Sequence, residues 1–520
     1  MKSITLSIKR LLILVPILLF TLSCEDDFLT QVNPNAVTPA SFWTSADEAE
    51  KGIFGAYSPF THIWYYTRFE IFASDYRDDV VNGFNTSERT AVGYFSGTSE
   101  TNATFWVWST MYQCITRANE VLANVPAIDM DPQLKDNILG EAHFIRAFNY
   151  FNLLNNWLNV PLITVPISEI EEPNLISQAA PAEVWAQVEA DLQSAQQLLP
   201  ASWPSDGVGR ATSGAATGLL GKVFLYQGKW AEAKDEFAKV INSGTYQLVE
   251  DYGHNFTEEF ENNSESLFEI QMISDGNGAW GGDAPGRGKG SAYQPDLAPA
   301  GFTNQNGMRI NDWLLDLYMD EQTVNGEIDP RAFTTLFWDT NDSTNYRGNV
   351  LKSRTYEGKS FAEAFPNGNT AIFANKYLDW EFNGHSGSLD GGWHGAGNNL
   401  RMLRYADVLL MFAEAEFMLN GSTQAALDAI NQVRARADMP PFESITMQDI
   451  EDERIKELTL ERTRYFDLLR WGKVVERIVN NPDLKSESAG TTAYKPGREY
   501  IAIPQNEIDG NPNFVQNPGY

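Results

Sequence analysis

The chain has 520 residues, 43% hydrophobic, 12% aromatic and 21% charged, with a formal net charge of −31. That apolar share supports a large core and excludes wholesale disorder, while 69 acidic against 38 basic residues disfavours nucleic acid as a partner. Two cysteines, one in the leader, exclude an internal disulfide in the folded part, iron–sulfur clusters and multi-cysteine zinc sites; no cofactor is expected.

Residues 1–23 read as a lipoprotein signal peptide, with Lys2, Lys9 and Arg10 before an apolar run from Leu11 to Leu22. Such a run is shorter than the ~20 residues a membrane span needs. It ends in Thr21-Leu22-Ser23-Cys24, which resembles a lipidation site, although Thr21 stands where such signals favour Leu. Cys24 is then the acylated residue, and the lipid is the chain's sole contact with the membrane. Residues 24–40 are a polar, proline-bearing tether, and 41–520 form a single domain.

Ser45-Ala46-Asp47-Glu48 reads as a helix start, leading to Tyr57. Apolar residues at helical spacing predict further helices over Thr104–Val125, Ile138–Trp157 and Glu183–Leu199. From Ala211, Leu220, Gly221, Phe224, Ala233 and Phe237 fall at the positions of a tetratricopeptide repeat. Small Gly221 and Ala233 let two helices approach, Phe224 and Phe237 fill the space beside them, Gly228 makes the turn and Gly244 ends the pair. The same offsets recur at Phe417, Ala426 and Ile430, with Asn420-Gly421 as the turn. The helical scaffold, about 41–270 and 400–480, is therefore interrupted by a loop-rich insertion, about 274–399. Within the insertion only Asp312–Met319 keeps a helical period.

Several segments together resemble the SusD/RagB family of Bacteroidetes nutrient-binding lipoproteins, over essentially the whole mature length. They are Trp108–Asn119, the repeat Ala211–Tyr246, Leu403–Ala415, Glu453–Gly472 and the terminal I-P-Q-N-E-I-D-G-N-P-N-F-V-Q-N-P-G-Y. Arg462 departs from the pattern, since relatives commonly carry Gly there. The resemblance implies a mainly α protein with four tetratricopeptide-like helix pairs and the insertion. It also implies a lipid-anchored, non-catalytic receptor on the outer face of the outer membrane. Such a receptor binds an oligosaccharide or polysaccharide and delivers it to a SusC-type TonB-dependent transporter. Glu25-Asp26-Asp27 resemble the acidic tag of lipoproteins exported to the cell surface in Bacteroidetes.

Sugar binding needs flat aromatic faces with polar groups around them. Two loop regions combine these. In the first, Trp64, Tyr65 and Tyr66 precede Asp75, Arg77, Asp78, Asn82, Asn85 and Tyr94, of which Trp64, Asp75, Arg77 and Tyr94 are the candidate contacts. The second holds Trp280 and Tyr293 with Asp283, Arg287 and Lys289, and Trp280 is the leading candidate because glycines flank it. Trp393-His394 is a further candidate. Trp106, Trp108, Trp157, Trp185, Trp230 and Trp471 sit at helical spacing and are expected in the core. Glu457, Glu461, Arg464 and Asp467 are expected to pair along one helix as scaffold. Asp339, Asn341 and Ser343 imitate the start of a calcium loop, but Thr344 replaces its glycine, so no metal site is expected. A peptide- or protein-binding receptor of the same fold is the alternative function. A glycoside hydrolase fits less well, since no barrel-like alternation of strands and helices is present.

Overall fold

The computed structural model describes residues 42–82, 91–273, 289–297, 308–339, 355–356, 359–365, 371–378, 396–481 and 493–520. Helix α1 (Ala46–Tyr57) starts where the sequence places it: the Ser45 hydroxyl accepts the Glu48 N–H, and Asp47 and Glu48 face the positive end of the helix dipole. Three long helices follow, α2 (Asn102–Asn124), α3 (Pro132–Trp157) and α4 (Pro181–Leu198). Helix α3 begins earlier than its apolar period because Asp131 caps it and Pro132 occupies the first position.

The pair α5 (Ser213–Tyr226) and α6 (Trp230–Asn242) turns at Gly228, whose φ of +70° is open to glycine at no steric cost. A Cβ on Gly221 would lie 2.5 Å from the Phe237 ring, so only glycine lets these helices come so close. Farther on lie α7 (Asp312–Met319), α8 (Tyr405–Asn420), α9 (Gln424–Arg436), α10 (Met447–Leu458), α11 (Arg464–Arg470) and α12 (Gln505–Gly510). The protein is thus mainly helical. Helices α1 to α6 pack each on the next in chain order, and α6 packs directly on α8, which carries α9 and α10.

That last contact explains how a long insertion leaves the scaffold intact. The chain departs after α6 and returns before α8, at neighbouring places. Strand β2 (Ser266–Ile270) closes the neck by pairing antiparallel with β6 (Leu400–Arg404). A small antiparallel sheet lies beyond it, formed by β1 (Val81–Asn82), β3 (Arg309–Ile310), β5 (Ile372–Ala374) and β4 (Leu336–Phe337) in that spatial order. Strand β1 precedes α2 in the chain, so the insertion is stitched to the N-terminal part.

The C-terminal segment straps the end of α3. Ile501 N–H donates to the Asn156 carbonyl at 2.8 Å, the Trp157 indole to the Ala502 carbonyl at 3.1 Å, and the Asn517 amide to the Trp157 carbonyl at 2.7 Å. Among the described residues no helix is long and apolar enough to cross a membrane.

Candidate functional site

Two of the sequence candidates' loop regions meet, and part of the third joins them. The Ala292 N–H donates to the Thr67 carbonyl at 2.9 Å, and Arg68 forms a two-point ion pair with Asp296 at 2.7 and 3.1 Å. Ser291 and Ala396 exchange backbone hydrogen bonds of 2.7 and 3.0 Å. Residues 62–82, 289–297 and 396–399 are therefore drawn to one end of the scaffold.

Here a tight turn sorts the aromatic run. The Tyr65 N–H bonds to the His62 carbonyl at 2.9 Å, while His62 Nδ1 accepts the Trp64 N–H at 3.2 Å. Tyr65 and Tyr66 turn inward and are fully buried. Trp64 turns outward and is half-buried. Its ring stacks on Trp106, from the first turns of α2, with centroids 4.7 Å apart and planes 21° apart. The His62 ring lies 6.2 Å from that of Trp64 with planes 27° apart, and Phe105 lies 5.0 Å from Trp106, tilted by 59°. All four rings are half-buried, with Arg68 close by over Phe69. Together these rings make a partly exposed aromatic shelf.

Trp106 corrects its expectation as a core residue. It stands two residues from Trp108, about 200° around α2, so the two rings leave the helix on opposite sides; Trp108 is buried and Trp106 half-buried.

Four other candidates lie in the interior, which withdraws them as ligand contacts. Asp75 is 1% exposed; one oxygen accepts the Arg462 N–H at 3.0 Å, and burial lifts its carboxyl to about 6 against the pull of Arg462. Arg77, also 1% exposed, donates to Tyr465 at 2.7 Å and to Asn156 at 3.2 Å, with its guanidinium 3.9 Å from the centre of the Tyr465 ring. Tyr94 is buried beneath a turn closed by the Ser96 and Gly97 amides on the Ala91 carbonyl, at 2.9 and 2.8 Å. Tyr293 is 1% exposed and packs on Tyr377, because the Thr67 and Arg68 contacts turn its segment inward. Asp75 and Arg77 are thus polar loop residues claimed by partners remote in sequence. Asp78 is likewise interior, accepting the Val80 and Val81 N–H groups at 2.8 and 3.0 Å.

Trp280, Asn85, Asp283, Arg287, Trp393, His394, Asn341, Ser343 and Cys24 lie outside the described residues. Among the described residues no group of three or more metal-ligating side chains is close enough to hold an ion.

The acidic and basic residues expected to pair along one helix do not share one. The chain breaks between α10 and α11, where Leu460 and Arg462 have φ of +63° and +60°. Glu457 instead accepts from Arg404 at 2.6 Å, from Arg331 at 2.9 Å and from Arg436. Glu461 binds Arg404 and Lys376, and Arg464 binds Asp79 at 2.7 Å. The role is structural, but it joins the insertion to the scaffold.

Among the described residues, clefts also lie elsewhere. One, of about 380 Å³, is lined by Trp108, Tyr112, Ile167, Glu507 and Phe514. Another, of about 240 Å³, has Trp203, Arg210, Tyr246 and Asn262 in its wall, with Arg210 stacked 3.7 Å over Trp203.

Comparison with known proteins agrees with this architecture. Residues 27–225 match a family described as starch-binding and associating with the outer membrane. SusD-like protein P25 of Formosa agariphila is 25% identical over 552 aligned residues, covering 99% of this chain and 100% of that one. A SusD superfamily protein of Bacteroides vulgatus superimposes with a TM-score of 0.78 at 25% identity, over 92% of this chain and all of that one. A laminarin-binding SusD-like protein does so with a TM-score of 0.73 at 29% identity, again over 92% and 100%. Residues 256–520, which hold the ion-pair joint between insertion and scaffold, match the model of the SusD family, and the chain belongs to that family.

Proposed function

We propose that this chain is a non-catalytic glycan receptor of the outer membrane. It would be anchored at the cell surface through Cys24, capture oligosaccharides on the aromatic shelf, and deliver them to a SusC-type TonB-dependent transporter. The observation that carries this reading is the half-buried stack of Trp64 on Trp106. Stacked indoles offer a rigid apolar face to the C–H side of a sugar ring, and ordering them costs little entropy because each is already fixed by the other. The laminarin-binding relative supports a glucan as ligand. Trp280 remains proposed as a second aromatic contact.

The carboxyls near the shelf support a receptor over a hydrolase. Glycoside hydrolysis needs two carboxyls facing one another across an open cleft. Glu70, Asp75 and Asp78 are buried behind the shelf, and Asp296 is held by Arg68.

The test is native gel retardation and calorimetry with soluble glycans, laminarin included, together with an assay for new reducing ends. Saturable retardation by at least one glycan without release of reducing ends is expected. Turnover, or indifference to every glycan, would refute the receptor reading.

A further inference from the structure

The turn between α10 and α11 contains two non-glycine residues, Leu460 and Arg462, in the left-handed region. L-residues with side chains rarely adopt this conformation unless their surroundings enforce it. Its consequence is that the Arg462 side chain points into the protein and is 6% exposed.

What surrounds this guanidinium comes from three separate stretches of chain. Glu70 Oε2 lies 2.9 Å from Nε, off the axis of a hydrogen bond, so the contact is an ion pair. The Tyr293 ring centre is 5.0 Å away and that of Tyr377 is 5.8 Å away. Asp75 holds the Arg462 backbone N–H. Tyr377 itself has φ of +67°, so strain collects on both sides of the contact.

The packing is polar. The buried Arg462 guanidinium draws at once on the Glu70 carboxyl and the hydroxyls of Tyr293 and Tyr377, with Tyr66 and Asp75 beside them. The long-range attraction of one cation for two carboxyls and two aromatic faces is what these segments share.

We propose that Arg462 is a positioning residue, a buried cation that fixes residues 66–75, 289–297 and 371–378 as one rigid backing behind the Trp64–Trp106 shelf. Burial lifts the Glu70 carboxyl to about 7 and that of Asp75 to about 6, with Arg462 as the leading force holding both down. Without the cation both carboxyls would be neutral over a wider range, and the attraction would vanish. The proposal concerns the protein without ligand, so it stands or falls separately from the identity of any glycan.

The test is amide hydrogen exchange on the full folded chain, comparing Arg462→Gly with Arg462→Lys and Arg462→Gln. Glycine relieves the left-handed strain while removing the cation, so global stability and local order are expected to separate. The unfolding temperature should fall less in the glycine variant than in the glutamine variant, because relieved strain offsets part of the lost ion pairing. Amides in 66–75, 289–297 and 371–378 should exchange at least tenfold faster, while those of α3 and α8 change far less. Lysine should restore part of the protection, and glutamine, of similar reach but uncharged, should not. If the glycine variant fails to fold, the lysine–glutamine comparison reads the same three segments. Unchanged exchange there, equal protection by lysine and glutamine, or an increase spread evenly over the scaffold helices would overturn the proposal.

Discussion

Replacing Glu457 by alanine is expected to lower the stability of the protein by about 3–5 kcal/mol, the range for breaking a buried ion pair from one side. Its carboxylate is fully buried and accepts from Arg331, Arg404 and Arg436. Arg331 belongs to the insertion, Arg404 to the strand that closes its neck, and Arg436 to α9. Alanine leaves three buried cations with less counter-charge, because Glu265, Asp329, Glu453 and Glu461 are already engaged. The pH dependence has a definite sign. Burial alone would raise the Glu457 carboxyl, but Arg436, Arg404 and Arg331 hold it well below the usual carboxylate range. A depressed carboxyl contributes stability above its unfolded value and loses it as pH falls through its folded one. Urea unfolding should therefore show a wide gap between wild type and Glu457→Ala at neutral pH that narrows in acid. Glu457→Gln, which keeps an acceptor but no charge, should fall between them. A gap that stayed constant with pH would deny the ionic origin.

Trp64→Ala should weaken glycan binding by about ten- to a hundredfold, roughly 1.4–2.8 kcal/mol. It removes one face of the shelf and frees Trp106 to move, so the loss includes both contact and preorganisation. Because Trp64 is half-buried, its truncation should leave the fold standing. Trp108→Ala makes the informative contrast: that ring is 2% exposed and lies edge-on to Trp157 at 5.3 Å. Its removal should cost about 3–5 kcal/mol of stability through the cavity it leaves, with affinity retained in the molecules that stay folded. Calorimetry with a retained glycan, alongside urea unfolding, separates the two effects.

The scaffold was legible because its signals are local. Apolar spacing, the Ser45 cap, the Gly228 turn and the Gly221–Phe237 contact each declare themselves within one or two helices. The site was less legible because its decisive contacts are remote. Asp75 and Arg77 look like loop residues free to meet a ligand, yet their partners Arg462 and Tyr465 lie nearly four hundred positions along the chain. Tyr293 was flagged by its glycine-rich neighbourhood, and no local feature announces that Arg68 and Thr67 draw its segment inward. Trp106 was hidden for another reason: it and Trp108 lie on opposite sides of α2, and their spacing does not say which side the body covers. Trp64 was a candidate from its aromatic run, whereas its partner in the stack was not.

The most direct measurement is hydrogen-exchange footprinting of the full chain saturated with a glycan that retards it. Protection is expected at residues 62–69, at the first turns of α2 and across 289–297, with little change at the cleft of Trp203 and Tyr246. Protection confined to that cleft, or to the one between Tyr112 and Phe514, would show that the shelf is not where this protein holds its ligand.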